Sequence, residues 1–218
     1  MTVDDLSVII PTLNAAAVLP ATLAAVAGAR EIIVVDGGSA DGTLELAAST
    51  GVRVLAALRG RGSQIATGIA AASRPWLLLL HADSRLAPDW RTAVHANPNR
   101  AGYFRFVLDS PDLRARRLER LVSWRCRTLG LPYGDQGLLI HRDLLASVGG
   151  MRTLPLMEDV DLVRRLGRDR LVALPADAVT SAEKWERQGY LLRSARNLGC
   201  LSLWFARVPP RLIHRLYE

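Results

Sequence analysis

His81 and Asp83 stand two residues apart, directly after the apolar run 76–80. An imidazole and a carboxylate at that spacing on extended backbone can share one divalent cation. A cation bridging two phosphates neutralises a diphosphate leaving group. A capped strand end with a satisfied histidine explains the same pair without chemistry. Asp36 closes another apolar run and is followed by Gly37 and Gly38. Such a carboxylate can bond a ribose or a base edge, and the glycines permit tight turns and close ligand approach. An Asx turn serving only the loop is the plainer account. In Arg59-Gly60-Arg61-Gly62-Ser63-Gln64 two arginines sit in a glycine loop before a helix. That is an anion site built from charge and backbone amides, or a solvated basic loop. Gly134-Asp135-Gln136-Gly137 precedes a short apolar run. Glu158, Asp159 and Asp161 open a predicted helix, where acids suit the macrodipole. A carboxylate there, held in a cleft, could also serve as a general base.

These clusters need elements to carry them to one place. An apolar run without alternation suits a parallel strand covered on both faces. Residues 6–10 and 76–80 read as such strands, with 31–35, 52–55, 101–108, 137–140 and 171–174 as further ones. Helices are predicted over 15–29, capped by Asn14 or Thr12, and over 44–49 and 64–73. Others are predicted over 88–97 with Pro88 in the first turn, 112–129, 142–148, 158–166 and 185–207. Strands alternating with helices predict an α/β fold with a doubly wound, mostly parallel sheet. In such a sheet ligands bind beyond the carboxyl ends of the strands. The clusters are expected to converge there.

A chain of 218 residues suits one domain, or one domain with a carboxyl-terminal extension. The net charge of +7 comes from 28 Lys and Arg against 21 Asp and Glu, and the basic side chains are nearly all Arg. That balance suits an anionic partner such as a nucleotide diphosphate, an acidic acceptor or a lipid surface. No aromatic-interleaved basic patch or zinc-finger spacing points to nucleic acid. Cys126 and Cys200 form no framework, which fits a reducing cytosol. Residues 1–5 show no signal-peptide pattern, and no run approaches the roughly 18 apolar residues of a membrane span. A cytoplasmic location is expected. There is no Gly-x-Gly-x-x-Gly and no Gly-Lys-Ser/Thr loop, which argues against NAD dehydrogenases and P-loop NTPases. Past Trp185, Arg187, Arg193, Arg196, Arg207, Arg211 and Arg215 alternate with Leu191, Leu192, Leu198, Leu201, Leu203, Trp204 and Phe205. This segment reads as a helix packed on the sheet, a peripheral membrane helix or a homodimer face through Trp204 and Phe205.

The order of the clusters carries more than each one alone. Val8-Ile9-Ile10-Pro11-Thr12-Leu13-Asn14, then Val35-Asp36-Gly37-Gly38-Ser39-Ala40-Asp41-Gly42-Thr43, then Leu80-His81-Ala82-Asp83, then Glu158-Asp159 resembles the family 2 glycosyltransferases of the GT-A fold. The resemblance spans about residues 6–170. The Leu-His-Ala-Asp form with Gly134-Asp135-Gln136-Gly137 further resembles a small bacterial subgroup found beside radical-SAM and selenium-related proteins. The resemblance implies a nucleotide-binding half over about 1–100, an acceptor half over about 101–184 and a basic helical region over about 185–218. It implies a nucleotide-sugar donor, usually a UDP-sugar, with Mn²⁺ or Mg²⁺, and inverting transfer by single displacement. Carried over by position, Pro11, Thr12, Asn14, Asp36, Gly38, Arg61, Gln64, Ala82 and Asp83 would bind the donor. Asp83, with His81, would hold the metal, and Asp135 and Gln136 would face the acceptor. Asp159 would be the catalytic base, with Glu158 beside it.

Two features depart from the family pattern. The usual metal motif is Asp-x-Asp, and here the first acid is His81. Imidazole in place of carboxylate shifts preference toward Mn²⁺ over Mg²⁺, or leaves the metal to Asp83, water and phosphate. The Gln-x-x-Arg-Trp motif of processive synthases is absent, which argues against polymer synthesis and export. Two other readings stay open. A nucleotidyltransferase would need an early glycine-rich loop with a basic residue, and residues 12–17 contain none. A non-catalytic nucleotide-sugar-binding protein is compatible with the His81 substitution.

Overall fold

The apolar runs at 6–10, 31–35 and 76–80 become largely buried strands in the computed structural model, which describes residues 3–94, 97–210 and 212–213, whereas residues 53–56 form a half-exposed strand at the sheet edge. In chain order the elements are β1 (Leu6–Thr12), α1 (Leu19–Val26), β2 (Glu31–Asp36), α2 (Thr43–Ser49), β3 (Arg53–Ala56), α3 (Arg61–Ala71) and β4 (Trp76–Leu79). There follow β5 (Ser84–Leu86), α4 (Trp90–Ala93), β6 (Ala101–Leu108), α5 (Leu113–Leu129), β7 (Leu138–His141), α6 (Arg142–Ser147) and α7 (Glu158–Leu166). The chain then forms β8 (Leu171–Thr180), α8 (Glu183–Gln188) and α9 (Tyr190–Phe205).

One eight-stranded sheet runs β3-β2-β1-β4-β7-β6-β8-β5. The β2–β3, β1–β2, β1–β4 and β6–β8 pairs are parallel, while β4–β7, β6–β7 and β5–β8 are antiparallel. The sheet is therefore mixed, and the region predicted as the acceptor half continues the nucleotide half across the β4–β7 ladder. Successive side chains of a strand face opposite sides. Ile9 and Leu77 accordingly join a core with Ile65, Val122, Val160 and Leu201 from α3, α5, α7 and α9. Val8, Ile10 and Leu78 join the opposite core with Leu19, Leu23 and Trp90 from α1 and α4. Gly68 lets α3 lie close on β1 and β2. A Cβ there would collide with Ile9 and sit 3.1 Å from Val35 Cγ2.

Several helix boundaries differ from the sequence reading. α1 starts at Leu19 and its N-cap Val18 makes no side-chain cap bond, so neither Thr12 nor Asn14 caps it. Asn14 instead takes φ 49° and joins two loops, its N–H donating to Ser39 Oγ (2.8 Å) and its Oδ1 accepting from Ala40 N (2.9 Å). The basic glycine segment is not all loop, because Arg61, Gly62 and Ser63 form the first turn of α3. The helix predicted over 88–97 is only α4, with residues 95–96 outside the described residues. The long carboxyl-terminal helix is two helices, parted at Gly189 with φ 82°. Arg211 and Arg215 of the basic end lie outside the described residues.

Candidate active site

Beyond β4, Leu80 N still bonds Ile9 O (3.0 Å), which holds the chain against β1 up to the sheet edge. The next three residues turn across that edge. Thr22 Oγ1 of α1 donates to Ala82 O (2.7 Å), and Ser84 N donates to His81 O (3.2 Å). His81 and Asp83 thereby face a cleft of about 180 Å³ that also receives Arg61, Asp135 and Asp159. A smaller apolar pocket shares His81, Tyr133 and Asp159 with it and reaches Pro11 and Glu158. Four of the five sequence clusters thus meet at one place.

The bonds inside the cleft divide labour among them. Asp159 Oδ2 accepts from Gly134 N (2.8 Å) and Oδ1 from Val160 N (2.7 Å). Two backbone amides therefore fix its orientation at the first turn of α7. Arg61 Nε lies 2.7 Å from Glu158 Oε1, and its Nη1 lies 3.0 Å from His81 Nε2. Glu158 is 1% exposed, and burial pushes its carboxyl upward while the Arg61 guanidinium opposes that push. Glu158 was expected beside the base; the structure makes it the counter-ion of Arg61. Burial, then the charge of Arg61, lowers His81 to about 4. The neutral imidazole can then accept a bond from Arg61. Gly134 makes room for this ring, since a Cβ there would collide with it.

That geometry bears on the metal. His81 Nε2 faces a guanidinium, so it could ligate a cation only by giving up Arg61. Among the described residues no three His, Cys, Asp or Glu side chains converge to hold a metal by themselves. Asp83 and Asp135 nonetheless offer hard oxygen donors to the same cleft. Burial raises Asp135 to about 6, and its buried Oδ1 has no hydrogen-bond partner. An orphaned carboxylate oxygen of this kind fits a hard cation whose other ligands come from water and phosphate.

Other predicted site residues turn inward. Asp36 is 2% exposed. Its Oδ1 accepts from Thr12 Oγ1 (3.0 Å) and Ser39 Oγ (2.5 Å), and its Oδ2 from Gly38 N and Ser39 N (both 2.8 Å). The carboxylate is used up in shaping its own loop, with Gly38 at φ 92°. Gln64 Nε2 donates to Thr12 O (2.6 Å) and Val35 O (2.8 Å), pinning α3 to β1 and β2. Gln136 donates from Nε2 to Phe104 O (3.0 Å), and its Oε1 accepts from Tyr133 N (3.2 Å) and Cys126 Sγ (3.1 Å). It is 1% exposed, so it does not face an acceptor as expected. Asp36, Thr12 and Gln64 lie at the same sheet edge but line neither cavity.

Residues missed in the sequence reading complete the cleft. Lys184, the only lysine in the chain, lies in the first turn of α8 and places Nζ 3.9 Å from Asp83 Oδ2. Arg193 and Asn197 reach the cleft from α9, and Trp185 from α8. Arg193 sits over the Trp185 ring at 5.1 Å and donates to Gln188 Oε1 (2.8 Å). A motif search could not find them; the lone lysine was the one available signal.

Residues 7–97 match the family model Glycosyl transferase family 2. A PGL/p-HBAD biosynthesis glycosyltransferase of Mycobacterium bovis is 42% identical over 91 residues, 37% of this chain and 36% of that one. An uncharacterized glycosyltransferase of Mycobacterium tuberculosis is 37% identical over 84 residues, 38% of each chain. The match thus spans less than two fifths of the length of these relatives. Among solved structures, a mannosyltransferase from Pyrobaculum calidifontis in complex with GDP-Man and Mn²⁺ superposes with TM-score 0.68 at 21% identity, over 98% of this chain and 68% of that one. Glucosyl-3-phosphoglycerate synthase from Mycobacterium tuberculosis, in complex with Mn²⁺ and UDP, gives TM-score 0.56 at 19% identity, over 81% and 71%. The chain therefore has the GT-A fold, with a segment at residues 7–97 that matches the family 2 glycosyltransferases.

Proposed function

We propose that the cleft transfers a sugar from a nucleotide-diphosphate sugar, UDP-linked and metal-dependent, to an acceptor hydroxyl with inversion. One observation carries this reading. Arg61, His81 and Asp83 from the first half of the chain share a cavity with Asp135 and Asp159 from the second. A donor held by one half and an acceptor held by the other would meet at Asp159. With both oxygens oriented by amides, Asp159 retains lone pairs to take the acceptor proton as the oxygen attacks. Arg61, held by Glu158 and His81, and Lys184, beside Asp83, supply positive charge where a diphosphate would depart. A divalent cation held by Asp83, and by Asp135 through its orphaned oxygen, would add Lewis-acid neutralisation of that diphosphate.

Calorimetry of UDP binding with and without Mn²⁺ tests the donor site. The metal should strengthen UDP binding in the wild type and not in Asp83→Ala. Equal affinity with and without metal in the wild type would count against the site. Asp159→Asn should lower transfer by about 10²–10⁴-fold while UDP binding survives. A variant transferring at the wild-type rate sinks the base assignment. A second reading, a non-catalytic nucleotide-sugar-binding protein, draws on the Arg61–His81 contact, which occupies the nitrogen a metal would need. Labelled nucleotide sugars separate the two, because only an enzyme releases UDP.

A further inference from the structure

Exposed large apolar side chains are not spread evenly over this molecule. Among the described residues, eight of the eleven lie on two helices: Leu113, Leu121, Trp124 and Leu129 on α5, and Leu191, Leu192, Leu198 and Phe205 on α9. Leu191 is 87% exposed and Leu192 70%. Each helix has a buried face as well, through Ala115, Val122 and Cys126 on α5 and Tyr190 and Leu201 on α9, all in the same core. The two helices therefore cover the same side of the sheet. They meet near their amino ends, where the Arg114 guanidinium sits 5.2 Å above the Tyr190 ring and Ser110 Oγ donates to Glu186 Oε1 (2.7 Å).

The outer faces are distinctive in charge as well as in apolarity. Along α9 the exposed positions Leu191, Leu192, Ala195, Leu198, Gly199 and Ser202 carry no charge. On α5 the exposed positions pair Leu121 and Trp124 with Arg117, Arg120 and Arg127 and include no acid. The one acid within α5, Glu119, is half-buried and bound by Arg116 (3.0 Å) and Leu108 N (2.8 Å). We infer that the outer face of α5 and α9 docks on an anionic lipid bilayer, with leucines and Trp124 entering the interface and arginines meeting the headgroups. This widens the membrane contact read from the carboxyl-terminal segment to a two-helix surface. A second copy of the chain is the poorer occupant, because it would set one arginine-rich face against another. Meanwhile the inner face of α9 supplies Arg193 and Asn197 to the cleft. One helix thus serves both surfaces.

The test is co-sedimentation of the full chain with vesicles of phosphatidylcholine, with and without phosphatidylglycerol, at about 0.1 M salt. The chain should pellet with the anionic vesicles and stay in solution with the neutral ones. Leu191→Glu with Leu192→Glu, and separately Arg117→Glu with Arg120→Glu, should each cut anionic partition by roughly tenfold or more. Unchanged melting curves and UDP affinity in these variants confirm that the fold and donor site are intact. The inference is overturned if the wild type ignores anionic vesicles, or if both double variants still pellet like it. It is also overturned if sedimentation velocity shows a stable dimer that the same variants dissociate. None of these outcomes depends on sugar transfer.

Discussion

At the scale of single residues, the centre of the cleft is a chain of three residues joined by two contacts, Glu158 to Arg61 to His81. Glu158 is 1% exposed, whereas the Arg61 side chain is 39% exposed. Removing the partner of a buried charge costs more than removing both. Arg61→Ala should therefore destabilise by roughly 1–3 kcal/mol, below the range for a fully buried pair because solvent reaches the arginine. Adding Glu158→Gln should recover part of that loss, since the stranded charge disappears. Urea titrations of the two singles and the double measure this, and strictly additive losses would refute the pairing. His81 gives a pH dependence. Its native value is about 4 against 6.5 in the unfolded chain. Between those values the unfolded chain binds the proton and the native one does not, so this group makes stability fall as pH drops from about 6.5 toward 4. Asp135 has the opposite sign. It stands at about 6 against 3.8, so its contribution falls as pH rises through that window. In metal-free buffer, the melting-temperature difference between wild type and His81→Gln should grow from pH 4 to about 6.5 and flatten above. A difference constant over that range would show that His81 is not buried neutral.

At the scale of elements, α3 positions Arg61, and its seat on the sheet depends on Gly68. Alanine is better than glycine in a helix by about 1 kcal/mol. Here a Cβ would collide with Ile9 in a packed interface, where overpacking costs about 1–3 kcal/mol. Overpacking should win, so Gly68→Ala should lower the denaturation midpoint; a raised midpoint would mean α3 can lift away freely. Elements like β1, β2 and β4 were legible because continuous apolar runs leave few alternatives. β5 was not, having three residues with Arg85 exposed between two buried ones. The length of β8 was hidden by Pro175 and Asp177 and by the register shift opposite Tyr103 and Arg105. Helical periodicity runs through Gly189 unchanged, so the break between α8 and α9 was invisible. The site divides on the same line. The convergence of His81, Asp83, Asp135 and Asp159 on one cleft was legible because short polar clusters after strands or at helix starts point to the sheet edge. The inward turn of Gln64 and Gln136 was not legible, because a sequence does not show that their amides satisfy backbone carbonyls from distant strands. Lys184, Arg193 and Asn197 were missed because their convergence depends on how α8 and α9 fold back.

For the whole molecule, the governing fact is that one sheet runs through both halves. The β4–β7 ladder pairs Trp76 with His141 and Leu79 with Leu138, so the halves share hydrogen bonds as well as the core that holds Leu77, Leu138 and Ile140. Neither half can lose its strands without exposing the other's edge. Unfolding should then be a single cooperative transition, although a chain of 218 residues could have split into two. The cleft draws on both halves of the chain, Arg61 and Asp83 from the first and Asp135 and Asp159 from the second. A ligand bound there should stabilise the molecule as one unit. At about one hundred times its dissociation constant, a ligand binding only the native state adds roughly 2.7 kcal/mol. For a chain of this length that corresponds to a shift of about 5–10 °C. Scanning calorimetry with UDP and Mn²⁺ should show one endotherm moving upward by that amount with its shape preserved. Two endotherms, of which only the earlier-melting or later-melting one moves, would mean that the nucleotide is held by one half alone and that the acids of the other take no part in binding it.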